Sequence, residues 1–422
     1  MSSKHRLRRL DSGSAWRHIP GMDNTAHDWP AEAETLLPDL VSLRRAIHLE
    51  PELGLQNPKT LAKIKEALAG LPLEFREGPS TTGLIAILRG PANGRSVLLR
   101  GDMDALPLVE DTGLDFASAT YGAMHACGHD THVAMLVGAA KLLCAARDRL
   151  PGTVIFMFQP GEEGHHGARF MLDDGIIDPL PDAAFALHIM PNAPHGVFAG
   201  RAGPLLASSD VLAIIVKGAG GHASMPQDTI DPIPVVCAIV TAIQTMVTRR
   251  ISVFDPAVVT IAKIAAGTTN NIIPETAELL GTIRTLSPER RAMVARELKR
   301  LAPAIAEAHG CTAEVRIDEG FPVTICDSRA VAFGQQVVEE TFGEAAWLTM
   351  DHPVMGAEDF SYVLEKVPGA MFWLGASEAG SDWRQCCGLH SNRMVLDETV
   401  MARGAALHAA LAERFLNEGF DI

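Results

Sequence analysis

Apolar and polar positions along the chain alternate between a helical period and short continuous runs. Leu40, Leu43 and Ile47 have helical spacing, and the pattern stops at Pro51 and Gly54. The stretch PKTLAKIKEALAG repeats it, with Pro58 near its start and Gly70 past its end. Short, nearly continuous apolar runs follow in TGLIAILRG, RSVLLRGDMDALPL, GTVIFMFQPGEEG and DAAFALHIMPN. Such runs, with a helical stretch at 131–147 between two of them, predict buried strands of an α/β sheet. Polar residues gather where the runs end: Asp102 and Asp104 after 97–99, Glu162 and Glu163 after 154–158, His188 after 183–187. Ligands of open α/β sheets collect beyond the carboxyl ends of strands, so these positions draw notice.

Near residue 204 the pattern changes. SSDVLAIIVKGAGGHAS reads as a strand ending in a Gly-rich turn. A helix follows, with Val236, Ile239, Val240, Ile243 and Met246 on its apolar face, and then come strands in AVVTIAKIAAG and AELLGTIRTL. Ser287 and Pro288 open a second helix as cap and first-turn residues, Gly310 closes it, and CTAEVRIDEG is a last strand. The order β-α-β-β-α-β is that of a compact separate unit. Afterwards the α/β signals resume, with GAMFWLGA as a strand and 397–416 as a closing helix. The expected organisation is therefore one domain in two parts, 22–203 and 321–422, with an inserted domain at 204–320. Residues 1–21 are expected to be a disordered or non-native extension, with Met22 as an alternative start.

A chain of 422 residues exceeds what one core usually supports, in keeping with two domains. A net charge of −15 argues against nucleic acid as a partner, because phosphate contacts need clustered Lys and Arg. The 7 cysteines are odd in number and scattered, which predicts reduced thiols and a cytoplasmic protein. The first 21 residues carry basic side chains but no apolar h-region, and no uninterrupted apolar run approaches 18 residues, so neither a secretory signal nor a membrane span is expected.

The stretch MHACGHDTH, residues 124–132, puts a cysteine and three histidines within nine residues. Cys127 and His129 from this loop, Glu162 and Glu163 from another, His188 from a third and His390 near the end are an inventory suited to a pair of borderline divalent ions. Adjacent glutamates usually form a solvated turn. Alternatively, one carboxylate binds metal and its neighbour stays free as a general base, since the two tasks need different geometry.

The segments RGDMDALPL, MHACGHDTHVAMLVGAA, FQPGEEGHHGA, ALHIMP, GGHASMPQ, NIIPETAELLGTIRT, MGAEDFSYV and LHSNRM resemble, in the same order, those of bacterial hippurate hydrolases and plant auxin-conjugate amidohydrolases. These belong among the aminoacylase and carboxypeptidase-like metallohydrolases, and the resemblance runs from about residue 36 to 416. It implies a mixed-sheet catalytic domain with an inserted lid and dimerisation domain, a homodimer, and two divalent ions per subunit (Mn, Zn, Co or Ni). The substrate implied is a small N-acyl amino acid, cut into a carboxylic acid and a free amino acid. Carried over, the metal ligands are Cys127, His129, Glu163, His188 and His390, and Glu162 is the base that takes a proton from the attacking water and returns it to the leaving amine. His222 donates to the oxyanion, often in the neighbouring subunit's site, Asn271 and Arg284 hold the substrate carboxylate, and Asp104 orients a ligand. Glu358 and Asp359 support the site. His125 and His132 are packing or supporting residues, Asp102 fixes a strand end, and Cys386 and Cys387 are free thiols. The chain departs from the pattern at LQNPKT, which lacks an acidic residue before its helix, and in the Ser-Asn that follows His390.

Three other readings compete. A carboxypeptidase or dipeptidase would use the same apparatus with a different acyl pocket. A nucleophilic Cys127 paired with His129 would leave the two glutamates without a task. A non-catalytic binding relative would have little reason to keep Glu162 beside a full ligand set.

Overall fold

The computed structural model describes residues 27–385 and 387–420. The expectations for 1–21 and for Cys386 lie outside the described residues. Eight strands form the larger sheet, in the order 73–77, 84–89, 153–159, 96–102, 183–190, 369–375, 198–200 and 347–349. Its centre is parallel: 153–159, 96–102, 183–190 and 369–375 run alike, while 73–77, 84–89 and 198–200 are joined antiparallel. The sheet is therefore mixed, as expected. Its central strands are buried along almost their whole length, which is why they read as continuous apolar runs.

Helices Trp29–His48, His129–Ala145 and Val400–Glu418 pack on one another, and the last two also pack on strand Ser96–Asp102. The approach is close. A Cβ on Gly404 would sit 1.9 Å from Met135 Sδ, so any larger residue where the last helix crosses the middle one would have to displace the Met135 side chain. Phe156, Phe158, Phe185, Phe333 and Phe372 fill the core beneath, each worth about 1.5–3 kcal/mol of burial. The first helix starts at Trp29, earlier than the apolar spacing suggests, because Asp28 caps it by accepting from Ala31 N. Helix Pro58–Ala67 lacks a side-chain bond from its own cap residue Asn57. Glu52 does that work from outside, accepting from Lys59 N at 3.1 Å and Thr60 N at 2.9 Å. The acidic group missing from LQNPKT is thus supplied from the preceding turn.

A second sheet holds four antiparallel strands in the order Ala257–Ala266, Thr276–Thr285, Asp210–Lys217, Thr312–Glu319. Helices Pro232–Arg250 and Pro288–Ala308 cover one face and share a separate core of Leu212, Ile214, Val236, Ile239, Ile243, Leu279 and Leu298. Ser287 caps the second of these helices through Arg290 N at 3.1 Å. Helix Pro232–Arg250 is long and apolar enough, by composition, to cross a membrane, and its buried side chains belong to this core. A two-stranded ribbon, Gly221–His222 with Ile272–Ile273, projects from the unit. The chain enters and leaves it side by side, where Gly203–Leu206 pairs with Thr324–Cys326.

Candidate metal centre and active site

The site is assembled where the central parallel strands of the larger sheet end. Gly128 separates Cys127 from His129 at φ +84°, and a Cβ there would lie 2.5 Å from Ile189, so the close spacing of the two side chains depends on glycine. His129 opens its helix and donates from Nδ1 to the backbone oxygen of Asp104 at 2.8 Å, which points Nε2 inward. His188 likewise donates from Nδ1 to Ile189 O at 2.7 Å, leaving Nε2 3.4 Å from Cys127 Sγ. His390 reaches in from the far end of the chain, with φ at +64° and its N–H bonded to Ala126 O at 2.7 Å. Its Nε2 lies 3.3 Å from Glu163 Oε1. After His390 the backbone carbonyl of Asn392 accepts from Asp111 N at 2.8 Å and ties down the loop, a bond that does not depend on the side chain there.

These side chains form two overlapping groups whose candidate ligand atoms lie within 4.8 Å of one another: Cys127 with His129 and His188, and Cys127 with Glu163 and His390. Cys127 is common to both groups. A cation fits the rest of the arrangement too. His129 Nε2 and Glu163 Oε1 are buried without a hydrogen-bond partner. Asp102, Glu358 and Asp359 crowd the single guanidinium of Arg100, with Glu162 close enough to interact with it electrostatically, which leaves negative charge in excess. Burial pushes the Cys127 thiol up rather than down, the opposite of an activated nucleophile, so its thiolate calls for a neighbouring cation.

Glu162 is buried beside Glu163, and together they form a candidate cluster with His129. Burial, with the carboxylates of Glu358, Glu163 and Asp359, holds its proton affinity well above the usual carboxylate range. Asp104 fixes the pair by accepting from Glu162 N at 2.9 Å and Glu163 N at 3.0 Å. A cavity of about 480 Å³ opens over Cys127, Glu162, Glu163, His188 and His390, and Arg284 of the smaller sheet lines it as well.

A chain-wide comparison decides the family. The model of peptidase family M20/M25/M40 matches residues 98–414. The chain belongs to the M20/M25/M40 peptidase family. Within it, this chain is 39% identical to thermostable carboxypeptidase 1 of Saccharolobus solfataricus, over 90% of this chain and 96% of that one. It is 37% identical to N-acetylcysteine deacetylase of Bacillus subtilis, over 88% and 96%. Among solved structures, a Bacillus subtilis dinuclear metal-binding peptidase of the M20 family superposes with a TM-score of 0.79 at 33% identity, covering 91% of this chain and 99% of that one.

Two of the expected M20 site residues stand apart. His222 and Asn271 are exposed neighbours on the projecting ribbon, where Ala223 N bonds to Asn271 O at 3.0 Å, and neither lines the cavity of its own chain. The supporting residues are better placed than the sequence reveals. Arg100 is fully buried and donates to Asp102 at 2.5 Å, Glu358 at 2.8 Å, Gln159 at 2.9 Å and Asp359 at 3.3 Å. An arginine inside an apolar strand run was the available signal, because a buried charge must be paired. Asp102 does more than end a strand: it also binds His132 Nδ1 at 2.5 Å, and His132 Nε2 accepts from Ile189 N at 2.9 Å. His132 is thereby fully used as a support. His125 is buried with both ring nitrogens unpartnered, and burial brings its pKa down to about 3, so it packs as a neutral ring. His166 is partly buried against Tyr362, with its Nδ1 2.9 Å from the phenol oxygen. Phe321, Trp373, Leu206, Val354 and Leu389 give the cavity an apolar lining that the motifs did not disclose.

Proposed function

We propose that this M20 enzyme hydrolyses the amide bond of N-acyl amino acids, releasing a carboxylic acid and a free amino acid. The observation that carries the reading is one cavity presenting a Cys–His–Glu ligand set, a buried glutamate and an arginine together. Cys127, His129, Glu163, His188 and His390 would hold two divalent ions, and Mn²⁺, Zn²⁺, Co²⁺ and Ni²⁺ all accept such donors. When bound, the ions supply Lewis-acid polarisation of the scissile carbonyl and a lowered pKa for the attacking water.

The protein's own groups do the rest. Glu162 takes the proton of the attacking water on its carboxylate and delivers it to the leaving amine. Its environment, which raises proton affinity, suits a group that must hold that proton between the two steps. Asp104 keeps Glu162 and Glu163 in register through their backbone N–H groups. Arg284 receives the substrate carboxylate with its planar fork. The apolar lining excludes water around the acyl group.

His222 and Asn271 act in the site of a second subunit. His222 Nδ1 accepts from Ser224 N at 3.2 Å and lies 2.8 Å from Ser224 Oγ, which leaves Nε2–H free to donate to an oxyanion. A homodimer through the inserted unit accounts for this placement. Edge strand Ala257–Ala266 exposes Val258 and Ile264 and carries one charge, Lys263, whereas the opposite edge carries Glu314, Arg316, Asp318 and Glu319. A cytoplasmic location agrees with the free cysteines among the described residues.

The test is a screen of metal-reconstituted protein against acylated, aroylated and peptidyl amino acids. Release of free amino acid from N-acyl substrates is expected. The likeness to a carboxypeptidase gives the screen its alternative outcome: faster cleavage of unblocked dipeptides would replace the proposed substrate with a peptide.

A further inference from the structure

We propose that Arg44 and His48, acting through Asp130, are positioning residues that set the Cys127–His129 loop for metal binding. The inference rests on Cys127 and His129 being ligands. Asp130 follows His129 directly and is fully buried. Its Oδ2 accepts from Arg44 Nε at 2.8 Å and His48 Nδ1 at 2.8 Å, while Oδ1 accepts from Thr131 N at 3.0 Å. Arg44 and His48 are one helical turn apart on the first helix, so a single face of Trp29–His48 grips the start of the ligand-bearing helix.

The grip extends to the segment before the loop. His48 Nε2 lies 3.2 Å from Glu110 Oε1, and Glu110 also binds Ser118 N at 2.7 Å and the Thr112 hydroxyl. Arg44 also donates to Glu398 at 3.1 Å and lies over the Phe116 ring at 5.0 Å. None of Arg44, His48, Glu110 and Asp130 lines the cavity, so they touch neither substrate nor reacting atoms.

Geometry gives the arrangement its purpose. Asp104 orients the His129 ring from one side through its backbone oxygen. The backbone that carries the ring follows a glycine with φ +84°, and beyond the first-turn bonds to Gly128 O an external anchor fixes the direction in which it leaves that turn. The Arg44–Asp130–His48 cluster is that anchor. Buried ion pairs add little net stability on average, yet they fix one geometry, because a partner removed leaves a charge unpaired.

The experiment uses the full chain with Co²⁺ as probe. Asp130→Asn and His48→Gln are compared with wild type in chelator competition and in the thiolate-to-cobalt absorption band, with thermal unfolding of the metal-free forms alongside. Glu110→Gln serves as a milder variant should Asp130→Asn fail to fold. The expected result is metal affinity weakened about 10- to 100-fold for Asp130→Asn, less for Glu110→Gln, with KM at saturating metal unchanged. Lower unfolding temperatures with wild-type metal affinity would make the cluster merely structural and overturn the proposal. If wild type itself bound no cobalt through a thiolate, the ligand assignment would fall, and this inference with it.

Discussion

Glu162→Gln is the most informative perturbation, because two of its effects point in opposite directions. Glutamine keeps the shape and hydrogen-bonding reach of the side chain but cannot accept a proton from water. A positioned general base contributes about 10²–10⁴ in rate, or about 3–5 kcal/mol of barrier, so kcat should fall by at least that range. Metal content should stay at the wild-type level, since Glu162 is in neither of the two Cys127 groups. Stability should move the other way. The folded-state affinity of Glu162 for a proton is raised by burial and by Glu358, Glu163 and Asp359, so folding disfavours its charged form. That penalty is absent below the ordinary carboxylate pKa and grows as pH rises above it. The neutral variant escapes it, and the metal-free Glu162→Gln protein should unfold at a higher temperature than wild type at pH 8 and nearly the same temperature at pH 4. Stopped assays of amino-acid release, elemental analysis and unfolding scans at the two pH values measure all three effects. A variant that retains more than a tenth of wild-type kcat with full metal would remove Glu162 from the role of base.

Other measurements bear on separate groups. Cys127→Ser should lower metal occupancy on elemental analysis, and metal should protect wild-type Cys127 from alkylation; a fully loaded variant would exclude the thiolate as ligand. Mixing inactive His222→Ala with inactive Glu162→Gln should restore part of the activity through mixed dimers, and no recovery would confine His222 to its own subunit. Arg284→Met should cost about 1.5–3 kcal/mol of charge-assisted binding, about 10- to 150-fold in kcat/KM, felt mainly in KM for substrates with a free carboxylate. Equal loss for a carboxamide analogue would refute that contact. For His48, burial opposes the charged form, but Asp130 and Glu110 more than compensate and bring its pKa up to about 9. The stability it contributes is complete below about pH 6.5 and is lost as pH rises through 9, so unfolding temperature should decline more steeply over that window in wild type than in His48→Gln.

Local sequence determined the elements and the chemistry-bearing loops. The continuous runs around Val97–Leu99, Val154–Phe158 and Ala183–Leu187 are strands because both faces are buried, a condition written in every residue of each run. The change of pattern near 204 marked a second sheet with its own core, since two cores need two sets of apolar periodicities. Cys127-Gly128-His129 was legible as a candidate because it crowds a thiol and an imidazole into three residues. Tertiary structure alone decided what pairs with what. Arg100 meets Glu358 across 258 positions and Arg44 meets Asp130 across 86, and no local period encodes such partners. It also separated Arg284, which reaches the cavity, from Asn271 and His222, which do not, although all three lie in the same inserted unit. The reason is physical: an element forms from neighbours a few residues apart, whereas a buried charge is tolerated only where distant parts of the chain happen to bring it a partner.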